Sequence, residues 1–481
     1  MNALSNLLIA QSPRFTPRPI PLISRLIGAI APLLFVALLI PPLLHWQGLA
    51  VWAIGIAYIL YDTGLLLFTA WQIAPLRHRP PTPVLAGTSQ TLGVIVAAHN
   101  EVAVLAVTID RLAAQQRPPD VILIADDGST DATPDLLARR FGLATPAPGE
   151  VATAATLPGL RWLRVRHGGK ARALNAALER IETDIVVTVD ADTLLDAGAI
   201  AAMRDAFAAE PELVAATGVL VPICGPHLAG RLFEWFQSYE YVRNFLSRYA
   251  WMRLNGLLLI SGAFAAFRRR AVLEVGGFDP DCMVEDYELI HRLHRHAHDS
   301  GQDWRVRVVG NAIARTDAPA SMIGFLRQRR RWFGGFLQTQ HWYRDMVGNR
   351  RYGLLGTAML PVKALDRFQP IYGIAAFLIL IDLVVTGRFA LALPILLIMI
   401  AKIAIDLGFH LWSLGIYKNW TGQREGLRLG PALIASIAEP FSFQLLRHAG
   451  AVWGWIAFLR GGRENWGRAR RTGVEAAALL P

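Results

Sequence analysis

The chain has 481 residues, 53% of them hydrophobic and only 18% charged, with a mean hydropathy of +0.34. That balance argues against a purely water-soluble or disordered chain and fits a sizeable soluble domain joined to several membrane spans. The formal net charge is +11, but no zinc-ligand spacing or RNA-binding signature accompanies it, which turns the expectation from nucleic acid to anionic lipid and phosphate. Cys224 and Cys282 are the only cysteines, so there is no disulfide framework, and both should be reduced in a cytosolic setting.

In chain order, residues 1–24 read as a cytoplasmic N-terminus and 25–72 as two transmembrane helices. The first apolar run is Leu26–Trp46; it is too long for a signal-peptide core, and a second run, about Leu49–Trp71, begins at once. Each can cross a hydrocarbon core of ~30 Å. Trp46, Trp52 and Trp71 suit interfacial positions. Arg14, Arg18 and Arg25 precede the pair, and Arg77, His78 and Arg79 follow it. Basic residues on both sides put both ends, and the domain behind them, in the cytoplasm of an inner-membrane protein. A linker over 73–90 carries Pro80-Pro81-Thr82-Pro83.

Residues 91–320 alternate strand and helix patterns. Gly93–Ala98, Val121–Ala125, Arg161–Val165 and Asp184–Val189 read as strands; Val102–Gln116 and Lys170–Ile181 read as helices, and Ala144–Gly159 as a surface excursion. The alternation predicts an α/β domain with a largely parallel sheet. Neither G-x-G-x-x-G nor G-K-[ST] is present, so dinucleotide and P-loop readings lack their carriers. Amphipathic interfacial helices are expected over 321–366, two more spans over 367–412 (Phe368–Thr386 and Phe389–Trp412), and a cytoplasmic loop over 413–430. Asp382, Lys402, Asp406 and His410 lie in or beside those spans, as snorkelling and pairing groups or as a polar path for a hydrophilic product. The segment 431–459 reads as a further membrane segment, either one span or, in keeping with a basic tail 460–481 held inside, a re-entrant or interfacial hairpin.

Four polar clusters stand between the apolar ends. Asp190 and Asp192 end a strand; i and i+2 of an extended chain face one side, where two carboxylates can hold a hard divalent ion, Mg²⁺ or Mn²⁺. Asp126 and Asp127 end another strand, before Gly128 and Ser129, where a carboxylate can accept from a base or a ribose; a plain Asx turn is the structural alternative. Gly168-Gly169-Lys170 offers flexible backbone and an ammonium for a phosphate. Glu285 and Asp286 precede an amphipathic helix, Tyr287–Arg295, as dipole partners or, for Asp286, as a general base. Gln328, Arg331 and Trp332 share a helical face, with Arg331 suited to a departing diphosphate and Trp332 to a sugar ring, or the pair to an interfacial anchor. His291, His294 and His298 share another face and read as solvated.

The ordered set D, DxD, ED, QxxRW resembles the membrane-embedded members of glycosyltransferase family 2, the cellulose, chitin, hyaluronan and poly-N-acetylglucosamine synthases. Ala98-His99-Asn100-Glu101, Gly169–Asn175, Gly262-Ala263-Phe264 and Arg268-Arg269 extend the match, which covers roughly Leu92–Trp332. The resemblance implies an α/β GT-A domain inserted between N- and C-terminal transmembrane helices, and an inverting, metal-dependent transferase. It implies that Asn100, Glu101, Asp126, Asp127, Lys170, Asp190 and Arg331 bind the donor, that Asp192 with Asp190 holds Mg²⁺ or Mn²⁺, that Asp286 beside Glu285 is the base, and that Gln328 and Trp332 line the acceptor end. Val284 stands where relatives often have Thr, and Ala97 where Pro often precedes the H-N-E sequence. The stretch after Leu459 is too short for a cyclic-dinucleotide-binding domain, so that regulation is not expected.

The expected activity is therefore processive transfer from UDP-glucose or UDP-N-acetylglucosamine to a growing β-linked glycan in the lipid bilayer, with export and room for accessory export subunits. A non-processive transferase to a lipid carrier is the nearest alternative. A transporter or sugar-binding membrane protein without chemistry is the alternative of another class.

Overall fold

The structure is a computed structural model that describes residues 3–44, 48–78, 90–155, 157–423, 429–461 and 473–474. Trp46, Arg79, the Pro80–Pro83 linker and most of the basic tail lie outside these residues. The strands are β1 (Leu92–Ala98), β2 (Val121–Asp126), β3 (Val151–Thr153), β4 (Leu160–Arg164), β5 (Ile185–Asp190), β6 (Thr193–Leu195), β7 (Leu213–Ile223), β8 (Phe264–Arg268) and β9 (Arg305–Asp317). The first ten helices are α1 (Ala3–Gln11), α2 (Leu22–Leu43), α3 (Ala53–Ile73), α4 (Leu105–Ala113), α5 (Thr133–Phe141), α6 (Lys170–Arg180), α7 (Ala199–Ala209), α8 (Leu228–Met252), α9 (Arg269–Glu274) and α10 (Glu285–Ser300). They are followed by α11 (Met322–Trp342), α12 (Leu360–Asp366), α13 (Gln369–Val385), α14 (Phe389–Thr421), α15 (Leu429–Ala438) and α16 (Phe443–Leu459).

The strands form one sheet in the order β3-β4-β2-β1-β5-β8-β7-β9-β6. Every residue of β1 is buried, because helices cover both faces, and this is why the strand reads as an unbroken apolar run. The half from β4 through β2 and β1 to β5 is parallel, as expected. Beyond β5 the expectation of a largely parallel sheet gives way to a mixed one: β8 runs antiparallel to both β5 and β7. The chain reaches β8 only after the long α8, and so re-enters the sheet from the opposite end. The register sets Ala97 opposite Asp190 and Ala98 opposite Asp126. Two acid-bearing strand ends therefore flank the end of β1, each one strand spacing of ~4.8 Å away.

Other elements differ from the sequence reading in bounds. Helix α4 is shorter than Val102–Gln116, since the Glu101 carbonyl accepts from Val104 and Leu105 in a turn before the helix begins. The excursion over 144–159 folds its middle back as the edge strand β3 against β4. Helix α10 starts at Glu285, so Glu285 and Asp286 form its first turn. His291 and His294 are buried, not solvated. The charged groups around them are satisfied internally: Arg292 pairs with Glu288 at 2.6 Å and Arg295 with Asp345 at 3.2 Å. His291 Nδ1 lies 2.9 Å from the Tyr287 carbonyl, and His294 Nε2 lies 2.9 Å from that of Leu257.

Among the described residues, three helical stretches are long and apolar enough to cross a membrane: Leu22–Leu43, Gly48–Arg77 and Phe389–Thr421. The pair Leu355–Asp366 and Gln369–Val385, bent by 40°, is a fourth if counted as one span. Apolar side chains such as Leu33, Leu60, Leu393 and Ile400 point outward from these helices, as a lipid surface requires. Helix α14 runs on past Trp412 to Thr421, where Gly422 in the left-handed region ends it, so the start of the expected 413–430 loop is helical. Within the bundle, Lys402 sits 2.7 Å from Asp62 and also contacts Asp406, while Asp382 is exposed. His410 is buried edge-on against Tyr239. Helices α15 and α16, of 10 and 17 residues, are broken apart at Glu439–Ser442.

The N-terminus is docked on the domain. Leu4 and Leu8 of α1 are buried near Gly276 and Gly277. Arg14 reaches Asp279 at 2.8 Å and Asp281 at 2.7 Å, and Arg18 reaches Asp299 at 2.5 Å. Two arginines read as topology signals thus also tether the domain to the first span.

Burial drives the pKa of His291 down to about 3 and that of His294 to about 4, from 6.5. A depressed histidine contributes stability that is present above 6.5 and is lost as pH falls toward the folded value. The slope is about 1.4 kcal/mol per pH unit for each group that only the unfolded chain protonates. Thermal unfolding of the full chain in detergent between pH 7 and pH 4 should show a steep acid limb that flattens in His291→Phe/His294→Gln. Equal slopes would contradict the assignment.

Candidate active site

The carboxyl edge of the sheet carries the acids. Asp190 is the last residue of β5, its side chain 30% exposed. Ala191 and Asp192 form a turn, so the strict strand alternation stops at Asp190, and Asp192 is buried. The Asp192 carbonyl accepts from the Asp317 N–H at 3.4 Å. Lys170, the first residue of α6, places its ammonium 2.5 Å from Asp190 Oδ1 and 3.7 Å from Glu285 Oε1. It also donates to the Gly262 carbonyl at 3.4 Å. One cation thus ties a strand end to a helix start across 95 residues of chain, counted from 190 to 285.

Asp286 is oriented by backbone. The Gly262 N–H donates to its Oδ2 at 2.7 Å and the Tyr287 N–H to its Oδ1 at 2.8 Å. Gly262 must lack a side chain, because a Cβ there would come within 2.9 Å of Asp286 Oδ2. Burial pulls the Lys170 pKa down, but Asp190 and Glu285 outweigh it and the net shift is upward. Burial raises Glu285, with Lys170 and Arg331 pulling it back and Asp286 adding to the rise.

A second group lies across the end of β1. Asp127 is fully buried and accepts from the N–H groups of Gly168 and Gly169 at 2.8 and 2.9 Å. Its Oδ2 is 2.8 Å from His167 Nδ1. The same glycines lead into Lys170, so Asp127 sets the loop that aims the ammonium at Asp190. Asp126 is also fully buried; its Oδ1 accepts from Ser129 N and its Oδ2 from Trp162 Nε1. Asn100, at φ 58°, takes the Thr130 and Asp131 N–H groups on its Oδ1, at 2.7 and 3.0 Å. Glu101 is buried, with its N–H donating to Thr133 Oγ1. Gly128, at φ 66°, passes so close to His167 that a Cβ would lie 2.9 Å from its backbone nitrogen. Asp126, Asn100 and Glu101 thus share one hydrogen-bonded loop, and the stacked rings of His99 and His167, 4.3 Å apart, stand beside it.

Helix α11 closes the other side. Ser321 caps it, accepting from Gly324 N. Gly335 packs against the Val284 side chain, the residue just before Glu285. Trp332 lies in the same packed cluster as Val284 and Tyr287. Arg331 is near enough to Glu285 to stabilise its charge, and Gln328 keeps a buried Oε1 with no hydrogen-bond partner. The structure thus brings Lys170, Asp190, Glu285, Asp286, Arg331 and Trp332 to one region, with Asp126 and Asp127 one loop away. Arg248 on α8 is a residue that the sequence reading missed. Its Nε and Nη1 are buried without partners, and burial lowers its pKa to about 10, with Tyr241 and the Asp286 carboxylate pulling it back up. No motif marks it, and α8 carries two further arginines, Arg231 and Arg243, from which nothing local sets it apart.

Among the described residues, two places have the chemistry for a metal. Asp190 and Asp192 supply hard oxygen donors, and the Lys170 ammonium already stands at Asp190 as a stand-in cation. His99, Asp127 and His167 offer ligand atoms within 4.8 Å of one another, a mixed N/O set suited to a transition ion.

A family model described as glycosyltransferase like family 2 matches residues 89–335. The chain belongs to glycosyltransferase family 2. This glycosyltransferase is 27% identical over 244 residues to a poly-beta-1,6-N-acetyl-D-glucosamine synthase of Staphylococcus aureus, covering 50% of this chain and 53% of that one. It is 26% identical over 310 residues to a beta-monoglucosyldiacylglycerol synthase of Synechocystis, covering 61% of this chain and 57% of that one. The matches thus span little more than half the length of these curated relatives. Among solved structures, a mannosyltransferase from Pyrobaculum calidifontis, in complex with GDP-Man and Mn²⁺, superposes with a TM-score of 0.55 at 20% identity, covering 82% of this chain and 99% of that one. The shared fold is GT-A, with candidate spans in the regions before and after it.

Removing the Lys170 charge should have two effects. Turnover in Lys170→Met should fall by ~10²-fold, the scale of losing one preorganised charge at a reacting centre. Glu285 should be raised further, and a raised acid contributes stability that is present below its unfolded value and is lost as pH rises through the folded one. The gap in melting temperature between wild type and Lys170→Met should therefore widen from pH 4.5 to pH 7. A gap independent of pH would contradict the linkage.

Proposed function

We propose that this glycosyltransferase is an inverting, processive enzyme that uses UDP-glucose or UDP-N-acetylglucosamine to extend a β-linked polysaccharide at the cytoplasmic face of the inner membrane. The observation that carries the reading is the Asp286 carboxylate, held by two backbone donors one residue from Glu285, which shares Lys170 with Asp190. Asp286 takes the proton from the acceptor hydroxyl, and its fixed orientation aims the lone pair at the incoming group. Lys170 and Arg331 offset the charge that develops on the departing diphosphate. Attack opposite to the departing group turns an α-linked donor into a β-linked product. Asp190 and Asp192 would hold a divalent ion, Mg²⁺ or Mn²⁺, which when bound supplies charge neutralisation at the diphosphate. Asp126 and Asp127 with the His99–His167 pair would receive the nucleoside, Asn100 and Glu101 would shape that loop, and Gln328 and Trp332 would meet the acceptor sugar.

Domain limits follow the same reading: an N-terminal arm and two spans, a cytoplasmic catalytic domain over 91–320, interfacial helices over 321–366, two further spans, and a hairpin over 431–459. Support for an export path is a small cavity among α3, α13, α14 and the α15–α16 turn, whose wall includes Asp62, Lys402, Asp406, Arg243, Glu439 and Trp52. The same cavity, and the Synechocystis relative, favour a second reading in which the acceptor is a lipid and one sugar is added.

In sealed inside-out vesicles given radiolabelled UDP-glucose or UDP-N-acetylglucosamine, wild type should yield a ladder of glycan lengths, protected in the lumen. A single glycolipid band would replace the polymer reading with the lipid one. Asp286→Asn should keep donor binding and lose at least ~10²-fold in turnover, the usual scale for a general base. Full turnover would remove Asp286 from the mechanism.

A further inference from the structure

The QxxRW segment contains a contact that its named positions do not explain. Arg329, one of its unspecified residues, is 2% exposed on α11. It grips Glu240 of α8 with two parallel bonds, Nη1 to Oε1 at 3.0 Å and Nη2 to Oε2 at 2.7 Å. Glu240 is itself 8% exposed. The guanidinium lies 4.5 Å from the centre of the Trp332 ring and 4.5 Å from that of Phe325. Trp332 follows Arg329 by three residues, so the two side chains share one helix face.

We propose that Glu240 is a positioning residue for the acceptor platform, acting on Trp332 through Arg329. This deepens the proposed function, since it rests on Trp332 meeting the acceptor sugar. A guanidinium held by both oxygens of a carboxylate has one plane available to it, and an indole stacked on that plane loses its choice of rotamer. The grip is anchored in turn. Arg447 of α16 stands 3.7 Å from Glu240 and 3.4 Å from Glu439, and Arg243 of α8 lies 3.2 Å from Glu439. On its other flank Arg329 packs against Gly450, where a Cβ would come within 2.6 Å of the arginine Cβ. The chain of alternating charges therefore runs from the acceptor tryptophan to the α15–α16 turn. Lysine at 329 would keep the charge but could supply neither the two parallel bonds nor the flat face.

A misplaced platform lets an activated donor meet water instead of the acceptor hydroxyl. The test compares full-length wild type, Glu240→Gln, Arg329→Lys and Trp332→Ala in membranes, with radiolabelled UDP-glucose and UDP-N-acetylglucosamine as probes. Glu240→Gln and Arg329→Lys should lower sugar incorporation by about tenfold or more, the scale of a small misplacement at a reacting centre. Diphosphonucleoside released per sugar incorporated should rise, and donor KM should stay within about twofold, because the interactions lost are not those of donor binding. Glu240→Gln added to Trp332→Ala should cost little beyond Trp332→Ala alone, the non-additivity of residues that act as one unit. If Glu240→Gln fails to fold, Arg329→Lys, which keeps the charge pair, carries the test. Uncoupling in Trp332→Ala without uncoupling in the other two, or a rise in donor KM that matches the loss of incorporation, would overturn the proposal. No uncoupling in Trp332→Ala would instead remove the acceptor role of that residue.

Discussion

The site depends on one ammonium placed among carboxylates. Asp190 arrives on the end of a buried strand, and Glu285 and Asp286 arrive on the first turn of a buried helix. Three acids so close would repel one another without a cation between them. Lys170 supplies that charge, and its position follows from Asp127, whose carboxylate holds the two glycine N–H groups just before it. The first acidic cluster therefore does mechanical work for the second. The same arrangement suits turnover, since a seat that holds an ammonium against Asp190 is also one where positive charge can meet a diphosphate.

Around this centre the GT-A domain is fastened to the candidate spans by arginine contacts. Arg14 and Arg18 clamp the segment before α2 to acids of the α9–α10 region, and Arg253 of the turn after α8 donates to the Gln72 carbonyl at the end of α3. Helix α11 is held by glycine contacts with α16, where Gly454 leaves no room for a Cβ against the Arg330 carbonyl. Among described residues the tail also touches the domain: the Gly473 and Val474 N–H groups donate to Asp317, whose own N–H meets the Asp192 carbonyl. The candidate site and the apolar helices thus share elements, and α11 touches both the Val284 cluster and α16.

Much of this was legible in the sequence because the relevant signals are local. Buried parallel strands announce themselves as apolar runs, and the acids that end them stand next to them in the chain; β1, β2 and β5 with Asp126 and Asp190 are of this kind. The apolar spans are legible for the same reason. What was missed depends on distant pairing. Glu288 is only four residues from Arg292, but nothing near His291 or His294 says that Arg295 would be neutralised by Asp345, 50 residues further on, letting most of the helix go inside. The antiparallel β8 carries the same apolar pattern as a parallel strand, since direction is decided by the path of the connecting chain. The turn at Ala191–Asp192 breaks an alternation that sequence spacing alone predicts to continue. Arg248 and Glu240 lie on α8, outside every motif, and matter only because α8 passes beneath the segments that the motifs occupy.

The central claim is that these acids, the lysine and the arginine–tryptophan helix serve one donor site. The most direct measurement is single-particle cryo-electron microscopy of the full chain in lipid nanodiscs with Mn²⁺ and a non-hydrolysable phosphonate analogue of a UDP-sugar. The account predicts diphosphate density among Asp190, Asp192, Lys170 and Arg331, with the sugar facing Asp286. Nucleotide density elsewhere, or Mn²⁺ on His99, Asp127 and His167 with the Lys170–Asp190 pair undisturbed, would contradict it.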